Sequence, residues 1–485
     1  MSLKKPNIVL IVIDALRARN LGCYGMIGNP SPHIDKLASE SLLFKNAYSA
    51  WNTTDQSLTS ILTGKYPRSN GLMNHGDKIT PEVRETFNST GTELLAETLQ
   101  SEGYKTMAVD WMGRWFKRGF DYYGYDIKRN ILEKTKYYFL LPVQYFKYIT
   151  AHLPILKCYK PMRKKSIKGL FKGIKDVLST FFFTFNLAKL QDANFVTKIA
   201  TSLISQKPSK PFFMLLHYWD THTPYHSPKS FMEENYNKND PVDFLSAKYR
   251  GSVSYVDHHL GKLIEHLKKI NSWDDTVFIV TSDHGDSLTE HEIYFDHHGL
   301  YEETTHVPLI IHYPDLFNKD KKINGFVQHI DLIPTLYEIL EKDYTQKNLD
   351  GKSLFPLINK NKKIRDHVFM EESYVQKKAA IRTEEYKYIK ALDNRGWCNY
   401  CQKVHVGVEE LYDLEKDPQE LQDLTARKKS LAKKMKSRLD DIIEDLNEKR
   451  KDTLSDNKNN GTSDDFNADE EKSVRKRLKG LGYIS

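Results

Sequence analysis

The chain has 485 residues, of which 39% are hydrophobic, enough for one large α/β domain and a smaller companion. Lys and Arg total 72 against 64 Asp and Glu, a net charge of +8 that is too mild for a nucleic-acid binder. Four cysteines exclude a disulfide scaffold, and no run of 18 apolar residues is present to form a transmembrane helix.

In chain order, Asn7 to Ile13 is a β-branched apolar run that predicts a buried strand ending at Asp14. No signal peptide is expected ahead of it, so the expected location is cytoplasmic. Thr54 lies just ahead of a helical segment that stops at Gly64. A helical pattern over Thr92–Gly103 precedes a strand from Lys105 that ends at Asp110. Residues 127–190 mix aromatic and basic side chains, which fits a helical insertion with a solvated basic face. The same composition allows peripheral membrane contact. Pro211–Tyr218 and Thr276–Thr281 are further buried-strand candidates, the latter running into Asp283 and His284. Val307–Tyr313 is another, followed by a helix from Thr335. Strand–helix alternation predicts a large, mostly parallel sheet with helices on both faces.

After residue 364, Lys378–Leu392 and Glu409–Leu414 look like short antiparallel strands of a small α+β subdomain. The expected division is 1–364, 365–430 and a helical or disordered tail over 431–485, with Asp452–Glu471 disordered. Cys398, Cys401 and His405 lack an evident fourth ligand for structural zinc and read as free or reducible thiols.

Ligands of open α/β sheets bind at the carboxyl ends of the strands. If the strands before Asp14 and Asp283 are neighbours, two carboxylates and the His284 imidazole converge, which suits a divalent cation. A nucleophile for an anionic ester belongs at a helix N-terminus, where free N–H groups and the helix dipole favour negative charge. Thr54 meets that requirement, with Thr53 its nearest competitor.

Several motifs, in this order, resemble the sulfatase branch of the alkaline phosphatase superfamily. They are Asp14–Gly25, Pro32–Ala38, Leu62–Pro67, His217–Tyr225, Ser282–Gly285, Asp296–Glu303, Glu410–Pro418 and Arg477–Tyr483. The resemblance implies that Asp14, Asp283 and His284 bind one divalent metal ion (Mn, Zn, Ca or Mg), with Thr54 as ligand and nucleophile. It implies that His222 contacts the ester or protonates the leaving group; the alternative reading of His222 is an ordinary loop histidine paired with Asp220, itself a possible additional site residue. His297 and His298 fall where the family carries a cationic substrate contact or a further ligand. Arg114, in a Gly-Arg-Trp that is similar to a family Gly-Lys-Trp, is implied to hold the anion.

The sequence departs from sulfatases after Asp283, where His284 stands for the Asn that classical sulfatases tend to carry, beside Asp14, where Ala15 replaces a second acidic ligand, and above all at the nucleophile. The family carries Cys or Ser at the position of Thr54, oxidised to formylglycine, with Pro and Arg where Gln56 and Leu58 stand. Formylglycine is therefore not expected. The expected activity is cleavage of phosphate esters through a metal-bound threonine. The alternatives are a sulfuric ester hydrolase, a phosphoglycerol- or phosphoethanolamine-type transferase, and an inactive sulfatase-like binding protein. The expected substrate is a small-molecule, glycan-linked or lipid-linked ester, and imidazole ligation favours manganese or zinc over a calcium cage.

Overall fold

A computed structural model describes residues 5–75, 79–110, 112–124, 192–206, 210–223, 225–232, 236, 240–317, 320–345, 347–373, 376–393 and 409–456. The 127–190 insertion, Cys398, Cys401, His405 and the residues after 456 lie outside them.

Eight strands form the main sheet: β1 (Asn7–Ile13), β2 (Leu42–Tyr48), β3 (Lys105–Val109), β4 (Tyr122–Tyr123), β5 (Phe212–Tyr218), β6 (Thr276–Thr281), β7 (His306–His312) and β8 (Lys321–Gln328). Their order is β4-β3-β5-β1-β6-β7-β2-β8. Strand β7 runs against both of its neighbours, and the other pairings are parallel. Strand β1 lies between β5 and β6, with Val12 opposite His217 on one side and Thr281 on the other. The two strands that end in carboxylates are therefore direct neighbours.

The alternation of β1 explains why the sheet is covered twice. Ile8, Leu10 and Val12 face a core shared with α2 (Thr54–Thr63), α3 (Leu95–Ser101) and α6 (Leu332–Ile339). Val9, Ile11 and Ile13 face the opposite core, built with α1 (Pro32–Ser39), α4 (Ala193–Ser205) and α5 (Pro241–Lys269). Each fully buried aliphatic side chain contributes about 1.5–3 kcal/mol relative to exposure. A strand buried on both faces must be apolar throughout, as β1 is.

A second, antiparallel sheet follows, formed by β9 (His367–Glu372), β10 (Lys378–Thr383), β11 (Tyr386–Ala391) and β12 (Glu409–Asp413) in the order β12-β11-β10-β9. Helix α7 (Lys429–Asp456) lays Ala432, Met435, Leu439 and Leu446 on Phe369, Ile381, Tyr388 and Leu411 of that sheet. The spacing is that of one helical face. Asp452–Asp456, expected to begin a disordered segment, instead form the last turn of α7. Among the described residues no helix is long and apolar enough to cross a membrane.

Candidate metal centre and active site

The centre is assembled from the carboxyl ends of four strands. Asp14 follows β1, Asp110 follows β3, His217 is the penultimate residue of β5, and Asp283 stands two residues beyond β6. The turn after β6 is tight. Gly285 N donates to Thr304 O at 2.9 Å, and a Cβ at Gly285 would collide with the Glu303 carbonyl. The backbone N–H of Ala15 donates to Asp283 Oδ1 at 3.1 Å, which ties the two carboxylate loops together.

Helix α2 brings the nucleophile candidate. Thr53 is its extended N-cap (φ −137°, ψ 147°), Thr54 its first residue, and Gly64 (φ +67°) its left-handed terminus. All ten residues of this polar helix are buried. Its hydroxyls make that tolerable by returning to carbonyls: Thr59 Oγ1 to Asp55 O at 2.6 Å and Thr63 Oγ1 to Thr59 O at 2.7 Å. Ser57 Oγ reaches Trp51 O at 3.0 Å and also donates to the Asp283 carbonyl. The helix is thereby fixed to the carboxylate loop.

Thr54 Oγ1 lies 3.4 Å from Asp14 Oδ2 and 3.4 Å from His284 Nε2. The Thr53 hydroxyl donates instead to the Gln56 side chain. The structure therefore separates the two threonines, and Thr54 is the one that joins the cluster.

Asp14, His217 and Asp283 offer ligand atoms that all lie within 4.8 Å of one another. His284 Nε2 is 3.4 Å from Asp283 Oδ2 and 4.0 Å from Asp14 Oδ1. His284 Nδ1 donates to the Gly285 carbonyl at 2.8 Å, so Nε2 presents a lone pair to these carboxylates. Burial holds this imidazole neutral, its pKa pushed down to about 4. Burial also pushes the Asp283 carboxyl up. Among the described residues, Asp14 Oδ1 and Asp283 Oδ2 are buried without hydrogen-bond partners. Orphaned acceptors of this kind are costly unless a cation completes them. The donor set of two carboxylates, two imidazoles and a hydroxyl fits a divalent metal.

His217, to which the sequence alone gives no role, interrupts an otherwise apolar strand. Its Nδ1 contacts Asp110 Oδ1 at 2.9 Å and its Nε2 faces Asp14 Oδ2 at 3.6 Å. Burial alone would lower its pKa, but hydrogen bonding to the two carboxylates outweighs this and raises it to about 10. A carboxylate behind an imidazole is the usual support of a metal-ligating histidine. Asp110 ends an apolar run just as Asp14 does, and that signal could have found it.

The remaining expected residues divide. The ring of His297 lies 4.6 Å from that of His284 and 6.2 Å from that of His222, so the three imidazoles line one side of the centre. Burial first, and then the neighbouring His284, push the His297 pKa well down. His298 faces Asp296, with Nδ1 at 3.5 Å from Oδ1, which separates it from His297. Asp220 is not in the cluster. It sits at the start of α4, accepting from Ala193 N at 3.2 Å, and burial pushes its carboxyl well up. Arg114 donates to Asp55 Oδ1, so the guanidinium expected to hold a substrate anion is engaged by a protein carboxylate. His75 stands on the other side of Asp55, with Nδ1 at 3.3 Å from Oδ2.

The Sulfatase family matches residues 6–342. The chain belongs to the sulfatase family. It is an ester hydrolase of the alkaline phosphatase-like superfamily. Residues 289–447 also match the C-terminal region of N-sulphoglucosamine sulphohydrolase. The chain is 26% identical to an arylsulfatase of Clostridium perfringens, over 87% of this chain and 90% of that protein. It is 24% identical to an N-acetylglucosamine-6-O-sulfatase of Bacteroides thetaiotaomicron, over 94% of this chain and 88% of the relative. The fold is shared with the phosphonate monoester hydrolase of Agrobacterium radiobacter, at 18% identity and a TM-score of 0.61, covering 92% and 96% of the two chains.

Proposed function

We propose that this sulfatase-family member hydrolyses sulfate monoesters of small organic or glycan alcohols, with Thr54 as nucleophile in a mononuclear metal centre. The observation that carries the reading is the position of Thr54 Oγ1, 3.4 Å from both Asp14 Oδ2 and His284 Nε2 at a helix N-terminus. The sulfatases among its relatives favour sulfate as the transferred group.

Asp14, Asp283, His284 and His217 would hold the ion, and their mixed oxygen and nitrogen donors suit manganese or zinc. When bound, such an ion supplies charge neutralisation and lowers the pKa of a coordinated hydroxyl. Thr54 Oγ1 gives its proton to Asp14 Oδ2 and attacks the sulfur. The Oγ–S bond forms as the bond to the leaving alcohol breaks. Backbone N–H groups at the start of α2 favour the equatorial anionic oxygens. His222 Nδ1 donates to Thr223 O at 2.7 Å, which fixes the ring so that Nε2 hands a proton to the departing alcohol. Water then attacks the sulfo-threonine with His222 as base, sulfate leaves as the Oγ–S bond breaks, and Asp14 Oδ2 returns its proton to Thr54 Oγ1.

A second reading, cleavage of phosphate esters by the same steps, is favoured by Thr54 itself, because the residue that family sulfatases oxidise to formylglycine is absent. Turnover of matched 4-nitrophenyl sulfate, phosphate monoester and phosphate diester with added manganese or zinc decides between the two. Sulfate release lost in Thr54→Ala supports the first reading. Phosphate release with no sulfate release replaces it by the second.

A further inference from the structure

Beside the nucleophile lies a buried ion cluster that the proposed steps do not use. Asp55 follows Thr54 in the first turn of α2 and is fully buried. Its Oδ1 accepts from Arg114 Nη2, and its Oδ2 lies 3.3 Å from His75 Nδ1. Arg114 is itself 7% exposed and opens a short turn (Arg114–Lys117) with φ +54°. Its guanidinium carbon lies 4.6 Å from the centre of the Trp115 ring, and Trp115 Nε1 donates to Thr59 Oγ1 at 3.1 Å. The arginine is therefore pinned to the nucleophile helix. Asp55 and Thr54 are consecutive residues of the first turn of α2, which places this cluster beside the nucleophile.

We propose that Asp55 sets the charge class of the ester, cancelling Arg114 so that the site takes singly charged esters in preference to doubly charged ones. The inference rests on the reading of this centre as an ester site. A guanidinium beside Thr54 would give a full positive charge to the equatorial oxygens. Here it is matched by a carboxylate one residue from the nucleophile. Asp14, Asp55 and Asp283 together balance Arg114 and one divalent cation, and Asp110 faces His217. Among the described residues, His222 in the protonated form that the proposed steps use adds one positive charge, which matches a monoanion and falls short of a dianion. The cost of stripping an ion of water rises with the square of its charge, so a dianion costs about four times as much as a monoanion. Arg114 keeps one buried N–H, at Nε, without a hydrogen-bond partner among the described residues. It can orient one ester oxygen without adding net charge. Sulfate monoesters and phosphate diesters are monoanions at neutral pH, whereas phosphate monoesters become dianions above a pKa of about 6.

The test compares kcat/KM for 4-nitrophenyl sulfate, 4-nitrophenyl phosphate and methyl 4-nitrophenyl phosphate at pH 8, in the metal-loaded wild type and in Asp55→Asn. The wild type is expected to favour the two monoanions. Asp55→Asn is expected to raise the ratio of phosphate monoester to diester about tenfold, the effect of about 1.4 kcal/mol of charge interaction. The double variant Asp55→Asn/Arg114→Met, which restores the charge balance, is expected to return the ratio toward wild type even if the single variant folds poorly. An unchanged ratio in Asp55→Asn, or wild-type preference for the phosphate monoester, overturns the proposal. Equilibrium binding of methyl sulfate, dimethyl phosphate and methyl phosphate separates this from the failure of catalysis. Monoanion preference without turnover leaves the charge selection standing and removes the hydrolase reading. Preference for methyl phosphate, or binding of none, overturns the charge selection.

Discussion

Glu372 Oε2 accepts a hydrogen bond from Asn52 Nδ2 at 2.8 Å, which joins the C-terminal sheet to the segment that delivers the nucleophile. The same oxygen accepts from Gly299 N at 2.7 Å, and Asn52 Nδ2 also contacts the carbonyls of His297 and Gly299 at 2.8 and 2.9 Å. All these residues are buried or backbone. Thr54 and His297 are thus held in register by a buried amide and a buried carboxylate. The second sheet is part of how the active site keeps its shape.

Asn52→Leu removes the shared donor and strands buried acceptors, each worth about 1–3 kcal/mol. The variant is expected to melt at a lower temperature and to lose at least about tenfold in kcat through misplacement of His297. Thermal melting beside steady-state kinetics checks this. An unchanged kcat would mean that the clamp does not position the site.

Asp110→Asn leaves His217 in place but weakens the group behind it. Metal affinity is expected to fall about 10–100-fold, as for other supports of ligating histidines. Metal content after dialysis against graded chelator measures it. Wild-type affinity in this variant would remove His217 from the ligand set.

Much of this centre is legible in the sequence because strand ends are simple to read. Asp14 and Asp283 each close an apolar β-branched run, and the Thr54-to-Gly64 spacing marks a helix start and stop. Asp110 carries the same signature as Asp14, at the end of the apolar run from Lys105. His217 hides inside a strand whose pattern reads as core. Asp55 and His75 meet only because α2 is buried whole, which a polar helix does not announce. The Glu372–Asn52 contact joins residues 320 positions apart, and no local pattern encodes it. The His297–His298 pair illustrates the same limit. Adjacent loop residues have no periodicity, and only the fold shows that one faces His284 and the other Asp296.

Buried neutral histidines give the fold an acid limit. Burial lowers the pKa of His329 from 6.5 to about 3 and that of His284 to about 4. Below about pH 6.5 the unfolded chain binds protons that the folded chain refuses. Their contribution is therefore complete above that pH and is lost as the pH falls toward 3 or 4. Denaturant midpoints measured from pH 7 to pH 4 are expected to fall, and His329→Gln is expected to flatten the fall. A midpoint independent of pH in this range would contradict the buried neutral state.

Asp14 and Asp283, both buried, repel each other when no cation lies between them. Chelation is expected to lower Tm and abolish turnover, with both restored by manganese or zinc. Full stability and activity in exhaustively chelated protein would show that the carboxylate pair needs no ion.

The most direct test of the central claim is to quench the metal-loaded protein in acid during turnover of 4-nitrophenyl sulfate and map any covalent adduct by peptide mass spectrometry. The account predicts one sulfo group, or one phospho group with a phosphate ester, on Thr54, absent from Thr54→Ala together with turnover. Steady turnover with the group on another residue, or activity that survives Thr54→Ala, would contradict a threonine nucleophile.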